Sequence, residues 1–226
     1  MDYKTKLAEP MNKELFADSF SKSLNENFPK YSKYFDFDLQ VFCELNTLIF
    51  EINKCQLLEF HRATITLTNH LLERLLKLAL IYNETGISAI ETQKWNSTFA
   101  EPNKRYSSIS LGNSIEINKK LGLISNSEKE FLFNVIRELM RNGFSHADSS
   151  KILEDLPDDS EMYQVSFSNP NDIKKVNINQ KVIPFMQEIQ MENFAKASSN
   201  QYFDFVFNLI FRIENRLTEK FEKTSM

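Results

Sequence analysis

Apolar residues recur at steps of three and four along most of the chain, and this spacing predicts a helical protein. Met11, Leu15, Phe20 and Leu24 place a short amphipathic helix over 11–27, with Pro10 suited to its first turn and Pro29 expected to stop it. Leu39, Phe42, Leu45, Ile49 and Ile52 predict a second helix from about Asp38 to Leu58, capped by Asp36 or Asp38. The clearest pattern runs from Ala63 to Tyr82. There Leu67, Leu71, Leu75, Leu78 and Ile81 share one side, and Leu72, Leu76 and Leu80 widen it. A helix apolar over most of its girth belongs in the middle of a bundle. Its remaining narrow face carries Thr66, His70, Glu73 and Lys77, which either meets solvent or looks into a polar site.

The periodicity breaks over 84–112, where Pro102, Asn103 and a run of serines predict a long connection with a short helical piece. Ser110 or Asn113 is placed to open the next helix, NSIEINKKLG, and Gly122 sits where a left-handed C-terminal cap belongs. Ser125 or Ser127 then caps the following one, and Ser127 with Glu130 has the spacing of a capping box. That helix continues through FLFNVIRELMRNGF on a core face of Leu132, Val135, Ile136, Leu139 and Met140, weakened near its end by Gly143. Beyond His146 the chain turns acidic. Tyr163, Val165 and Phe167 alternate as a strand does, and VNINQKVIPF is either the partner strand or an extended lead-in. A final helix starts between Phe185 and Ser198 and runs to about Phe221 on a stripe of Tyr202, Phe205, Val206, Leu209, Ile213 and Leu217. No fixed-period repeat is present.

Composition narrows the class. At 226 residues, with 42% hydrophobic and 26% charged, the chain can bury a core without staples. Only 4 Gly and 6 Pro argue against a many-stranded sandwich or barrel, in which each hairpin needs its own turn residues. A net charge of −4 excludes a generally basic surface for nonspecific nucleic-acid binding but leaves room for a local basic site. Cys43 and Cys55 make no CxxC and are expected to be reduced, buried thiols. The N-terminal MDYKTKLAEPMNKEL lacks the apolar centre of a signal peptide, and no apolar run approaches the roughly 20 residues of a membrane helix. The expectation is a cytoplasmic, soluble protein.

Most catalytic signatures are missing: GxxxxGK[ST], GxGxxG, HExxH and GxSxG do not occur, and with 3 histidines in all, no metal site or cofactor is expected. One constellation stands apart, Arg141-Asn142-Gly143-Phe144-Ser145-His146, with Arg137 one turn earlier. In an unbroken α-helix, positions five apart lie about 140° from each other. For Arg141 and His146 to meet on one phosphate, the helix must loosen near Gly143 or a second chain must supply its copy. These residue types permit one chemistry without a metal. Histidine takes the 2′-hydroxyl proton of RNA, the freed oxygen attacks the adjacent phosphorus, and arginine stabilises the charge that builds there. The products carry a 2′,3′-cyclic phosphate and a 5′-hydroxyl, and DNA is inert. The plain alternative is an arginine capping the last carbonyls of a helix and a histidine packed at its turn. Trp95, Lys104, Arg105 and Tyr106 form an aromatic-basic group that could hold RNA or be an ordinary solvated loop. Glu73 has the spacing to pair with Lys77 one turn on.

The segment LGNSIEINKKLGLISNSEKEFLFNVIRELMRNGFSHAD, with its closing RN-x3-H, resembles the HEPN superfamily of all-helical domains. The preceding NHLLERLLKLALIY is similar to that superfamily's helix with a leucine-glutamate pair, here Leu72-Glu73. The resemblance implies an all-α bundle of four to five helices over 38–150. It leaves a helical extension at 1–37, and over 151–226 a region with a candidate small hairpin between about 160 and 185 and a long C-terminal helix. It further implies a metal-independent endoribonuclease of bacterial toxin–antitoxin or phage-defence systems. On that reading Arg141 and His146 are catalytic, Asn142 and Glu73 support them, and Arg137, Lys104 and Arg105 are candidates for RNA contact. Expected partners are RNA, a second copy of the chain, and an antitoxin or defence-system protein, with neither membrane nor DNA among them. The other reading open at this point is a non-catalytic nucleotide- or RNA-binding or regulatory module on the same bundle.

Overall fold

A computed structural model describes residues 13–145, 152–154, 157–166 and 168–224; within the helix ending at Ser145, the side chains of Glu138, Leu139, Arg141, Asn142 and Ser145 lie outside the description. Among the described residues the chain forms α1 (Lys13–Tyr31), α2 (Asn46–Leu57), α3 (His61–Thr85), α4 (Trp95–Tyr106), α5 (Leu111–Lys120) and α6 (Asn126–Phe131). A π-wound helix (Leu132–Ser145), a hairpin of β1 (Ser160–Ser166) and β2 (Asn169–Ile178), and α7 (Pro184–Thr224) follow. The architecture is predominantly helical with one small two-stranded antiparallel sheet. Among the described residues no helix is long and apolar enough to cross a membrane.

Helix α3 is the centre. It buries Ile65, Leu71, Leu72, Leu75, Leu76, Ala79 and Leu80, and α2, α4, α5, the π-wound helix and α7 all pack on it. Its largest contact is with α7, which contributes Phe203, Val206, Ile210, Ile213 and Leu217. The apolar girth read from the leucine spacing therefore has its expected consequence, because a helix with that many buried sides must be covered on most of them; only a narrow face with Thr66, His70 and Arg74 stays exposed.

Several local readings carry over. The Ser110 hydroxyl accepts the Asn113 N–H at the start of α5, and Gly122 has φ +75° where the chain leaves it. Others are corrected. Helix α1 continues through Pro29 to Tyr31; a proline so near the end removes one hydrogen bond and displaces only the last turn. The second helix starts at Asn46, after a 3₁₀ turn over Cys43–Leu45, and neither Asp36 nor Asp38 caps it. The backbone before it is held irregular by α7, whose Glu214 carboxylate accepts the N–H groups of both Val41 and Phe42. The connection after α3 contains a full helix, α4, which passes through a buried Pro102. Cys43 is exposed and Cys55 half-buried, so the expectation of two buried thiols fails.

The capping box also moves by two residues. Ser125 and Glu128 form it, rather than Ser127 and Glu130, because Glu128 has a second task. Its carboxylate accepts Arg212 Nε at 2.6 Å and Arg216 Nη1 at 2.7 Å, tying the start of α6 to the C-terminal half of α7. Burial pushes the Glu128 carboxyl up. The hydrogen bonds from Arg216, the Ser125 N–H and Arg212, with the Arg216 charge, outweigh burial and leave its pKa below the ordinary carboxylate value. A lowered folded-state pKa contributes stability that is present above the unfolded carboxylate pKa and lost as pH falls through the folded one. Glu128→Gln should therefore flatten the acid limb of a pH–stability curve, and Glu128→Ala should destabilise by about 2–3 kcal/mol in urea unfolding at neutral pH. An unchanged acid limb in Glu128→Gln would assign the acid sensitivity to other carboxylates.

Candidate functional site

The arginine of the Arg141…His146 pair lies in a helix of unusual winding. From Leu132 to Ser145 the backbone is π-helical over 14 residues. Such helices occur mostly as single turns, frequently at functional sites. Their i→i+5 hydrogen bonds widen each turn, so positions five apart lie nearer to one face than the about 140° that separates them in α winding. The loosening that the Arg141–His146 spacing calls for is thus present at Arg141 and begins well before Gly143. His146 lies outside the described residues, and so do the side chains of Arg141 and Asn142.

What fixes this helix to the bundle is a buried amide. Asn69 of α3 donates from Nδ2 to the Met140 carbonyl at 2.9 Å, and its Oδ1 accepts the Tyr202 hydroxyl of α7 at 2.7 Å. Three helices are tied through one side chain, at the residue immediately before Arg141. Burial first, and then the Glu73 carboxylate, push Tyr202 well above the usual phenol range. The hydroxyl consequently stays protonated and keeps donating to Asn69. Because the Glu73 charge is felt at Tyr202, Glu73 belongs to the surroundings of the same node.

On its outward side Glu73 lines a cavity of about 230 Å³ with His70, Arg74, Lys77, Asn103 and Ser107. Three groups that can be cationic, His70, Arg74 and Lys77, thus face one opening between α3 and α4. Lys77 Nζ donates to the Ser107 carbonyl at 2.9 Å. Of the polar face of α3, His70, Glu73 and Lys77 line this cavity, while Thr66 lies outside it and Thr66 and His70 are both exposed.

The other candidates are dispersed. Arg137 stacks its guanidinium 5.0 Å from the Phe133 ring centroid and faces a separate cavity of about 320 Å³ with Ser110, Gly112, Asn113 and Glu116. Lys104 is exposed on α4. Arg105 has its charge compensated, donating to both oxygens of Glu84 at 3.0 and 2.8 Å, while Tyr106 donates to the same carboxylate. Trp95, at the other end of α4, lines a cavity of about 730 Å³ with Tyr82, Ile87 and Phe99, and its Nε1 donates to the Ile90 carbonyl. The aromatic-basic group of the sequence is therefore divided between the two ends of α4, about 16 Å apart.

Asn69, Tyr202 and Arg74 were not singled out by sequence reasoning. Asn69 had a legible signal, a polar residue between the leucines of a helix apolar nearly all round. Comparison with protein-family models, curated proteins and solved structures finds no match to this chain.

The node makes an energetic prediction. Tyr202→Phe removes one hydrogen bond from a buried polar group and should cost about 1–2 kcal/mol. Asn69→Ala should cost more, because it also abandons the Met140 carbonyl. In a double-mutant cycle by urea unfolding the two effects should be strongly non-additive. Additive losses would mean that the residues act independently.

Proposed function

We propose that the chain is a metal-independent endoribonuclease of the HEPN type, in which Arg141 and His146 act on one scissile phosphate. The observation that carries this reading is the winding of the Leu132–Ser145 helix, whose wider turn sets positions five apart nearer to one face than α winding does. The Asn69 bond to the Met140 carbonyl supports it further, since a group that must stabilise a developing charge needs a fixed backbone beneath it.

In this mechanism neutral His146 takes the proton from the ribose 2′-hydroxyl. The O2′ atom forms a bond to phosphorus, and the bond from phosphorus to O5′ breaks. The departing O5′ takes a proton from water, and Arg141 holds the non-bridging oxygens throughout. Glu73 and Asn142 keep supporting parts, Arg137 is a candidate RNA contact, and Lys104, another, is exposed on α4. Arg105 is a poorer RNA contact than its sequence context implies, because Glu84 already occupies it. A role in toxin–antitoxin pairing or phage defence belongs to the same reading.

The second reading, binding of a nucleotide or RNA without cleavage, draws on the net charge of −4 and on the small His70–Arg74–Lys77 cavity, which suits a single phosphate better than a long strand. One assay separates the two. On the nuclease reading, single-stranded RNA incubated with the protein in EDTA is cut to fragments with 2′,3′-cyclic phosphate ends. His146→Ala and Arg141→Ala each lower the rate at least about 100-fold with unchanged circular dichroism. RNA that is retained but recovered intact would replace this reading with the binding module. Unaltered cleavage in His146→Ala would end it.

A further inference from the structure

The hairpin is the least accommodated part of the fold. Every described residue from Glu161 to Asn177 is exposed, and both sheet faces meet solvent. Tyr163 and Val165 of β1 and Ile173 of β2 lie on one face at 68%, 49% and 60% exposure, and Met162 and Val176 pair on the other. An isolated two-stranded hairpin is marginally stable in water; three or more strands, or a helix laid across one face, are usually needed. Among the described residues β1 and β2 pack substantially only on each other.

The two edges differ. β2 carries Pro170, which has no N–H, together with Asp172, Lys174 and Lys175, the residues that keep an edge strand from pairing further. β1, SEMYQVS, has a single charge, Glu161, and no proline. Among the described residues one edge is open and the other guarded, which is what a closed twofold pair requires, since pairing ends at four strands and cannot propagate.

We infer that β1 is a homodimerisation edge, joining β1 of a second copy antiparallel to form a four-stranded sheet in the order β2-β1-β1-β2. A copy of this chain is the occupant that the charges favour. Glu161 already pairs with Lys175 of its own hairpin, and Lys174 with Asp172, so each hairpin is neutral. With the twofold axis at Met162, Tyr163 or Gln164, no register places Glu161 opposite its own copy. With the axis at Tyr163, the two tyrosines meet in the central row, Val165 faces Glu161 of the other copy, and one continuous face carries both sets of Tyr163, Val165 and Ile173. A seven-residue edge lies at the low end of the area that stable dimers bury, so association should depend on concentration in the micromolar range. This inference is independent of the nuclease reading.

Sedimentation equilibrium of the full chain over a hundredfold concentration range should give masses rising from one chain to two. Met162→Lys with Val165→Lys, both at exposed positions, should leave only monomer with an unchanged helical circular dichroism spectrum. In a Cys43→Ser, Cys55→Ser background, single cysteines at 162, 163 and 164 should be oxidised in turn. One of them should crosslink to its own copy, and Lys175→Cys on the guarded strand should not. A monomer at every concentration would overturn the inference. So would a dimer indifferent to the lysines and crosslinked at none of the three positions. Lysine variants that lose RNA binding while the mass is unchanged would assign the hairpin to nucleic acid instead.

Discussion

The Asn69 amide, buried where α3, α7 and the Leu132–Ser145 helix meet, is the constraint on which the rest depends. A polar side chain in such a position is tolerated only if its hydrogen bonds are made, because leaving one unmade costs a large fraction of a domain's net stability. Its partners are a carbonyl and a hydroxyl from two other helices, so the requirement to satisfy it fixes their relative height. The close-packed leucines of α3 resist sliding through their shape, and the amide adds a directional requirement that only one height satisfies. It acts at the residue before Arg141, the residue to which the proposed mechanism assigns the phosphate.

A second tie repeats the pattern farther along α7. Glu128 gathers Arg212, Arg216 and the Ser125 N–H, so α7 is clamped at Tyr202 near its middle and again two to four turns on. The 41-residue α7 serves as a spine against which α3 and the helix bearing the motif are both referenced. Away from the spine, constraint falls off. The described hairpin residues from Glu161 to Asn177 and the first ten residues of α1 are exposed, and Leu15, Phe16 and Phe20 contribute nothing to the core.

How much of this was legible in the sequence follows from range. Features set within one turn were readable: the Ser110 cap, the left-handed Gly122, the leucine girth of α3 and the alternation of β1. Features decided by distant residues were not. The irregular run before α2 is held by Glu214, more than 170 residues away, and the choice of Ser125 over Ser127 is made by two arginines of α7. For the candidate site, the motif was legible as residue types, but the winding that bears on its geometry was not. A trace of it exists. Leu132, Ile136, Met140 and Phe144 are all buried at a constant step of four, which in an α-helix would drift about 40° per step off one face. Read with Val135 and Leu139, those positions pass for an ordinary amphipathic helix, and Val135 is only half-buried.

The central claim is that one guanidinium and one imidazole grip the same phosphate, and it can be read directly. With ¹³C-labelled histidine, the spectrum resolves three imidazoles, His61, His70 and His146. Titration with an RNA carrying a single 2′-deoxy sugar at the scissile position, which binds but is not cut, should shift the His146 resonance and raise its pKa. Arg141→Ala should reduce that response. A His146 signal that ignores the RNA, or that responds identically without the Arg141 guanidinium, would contradict the account.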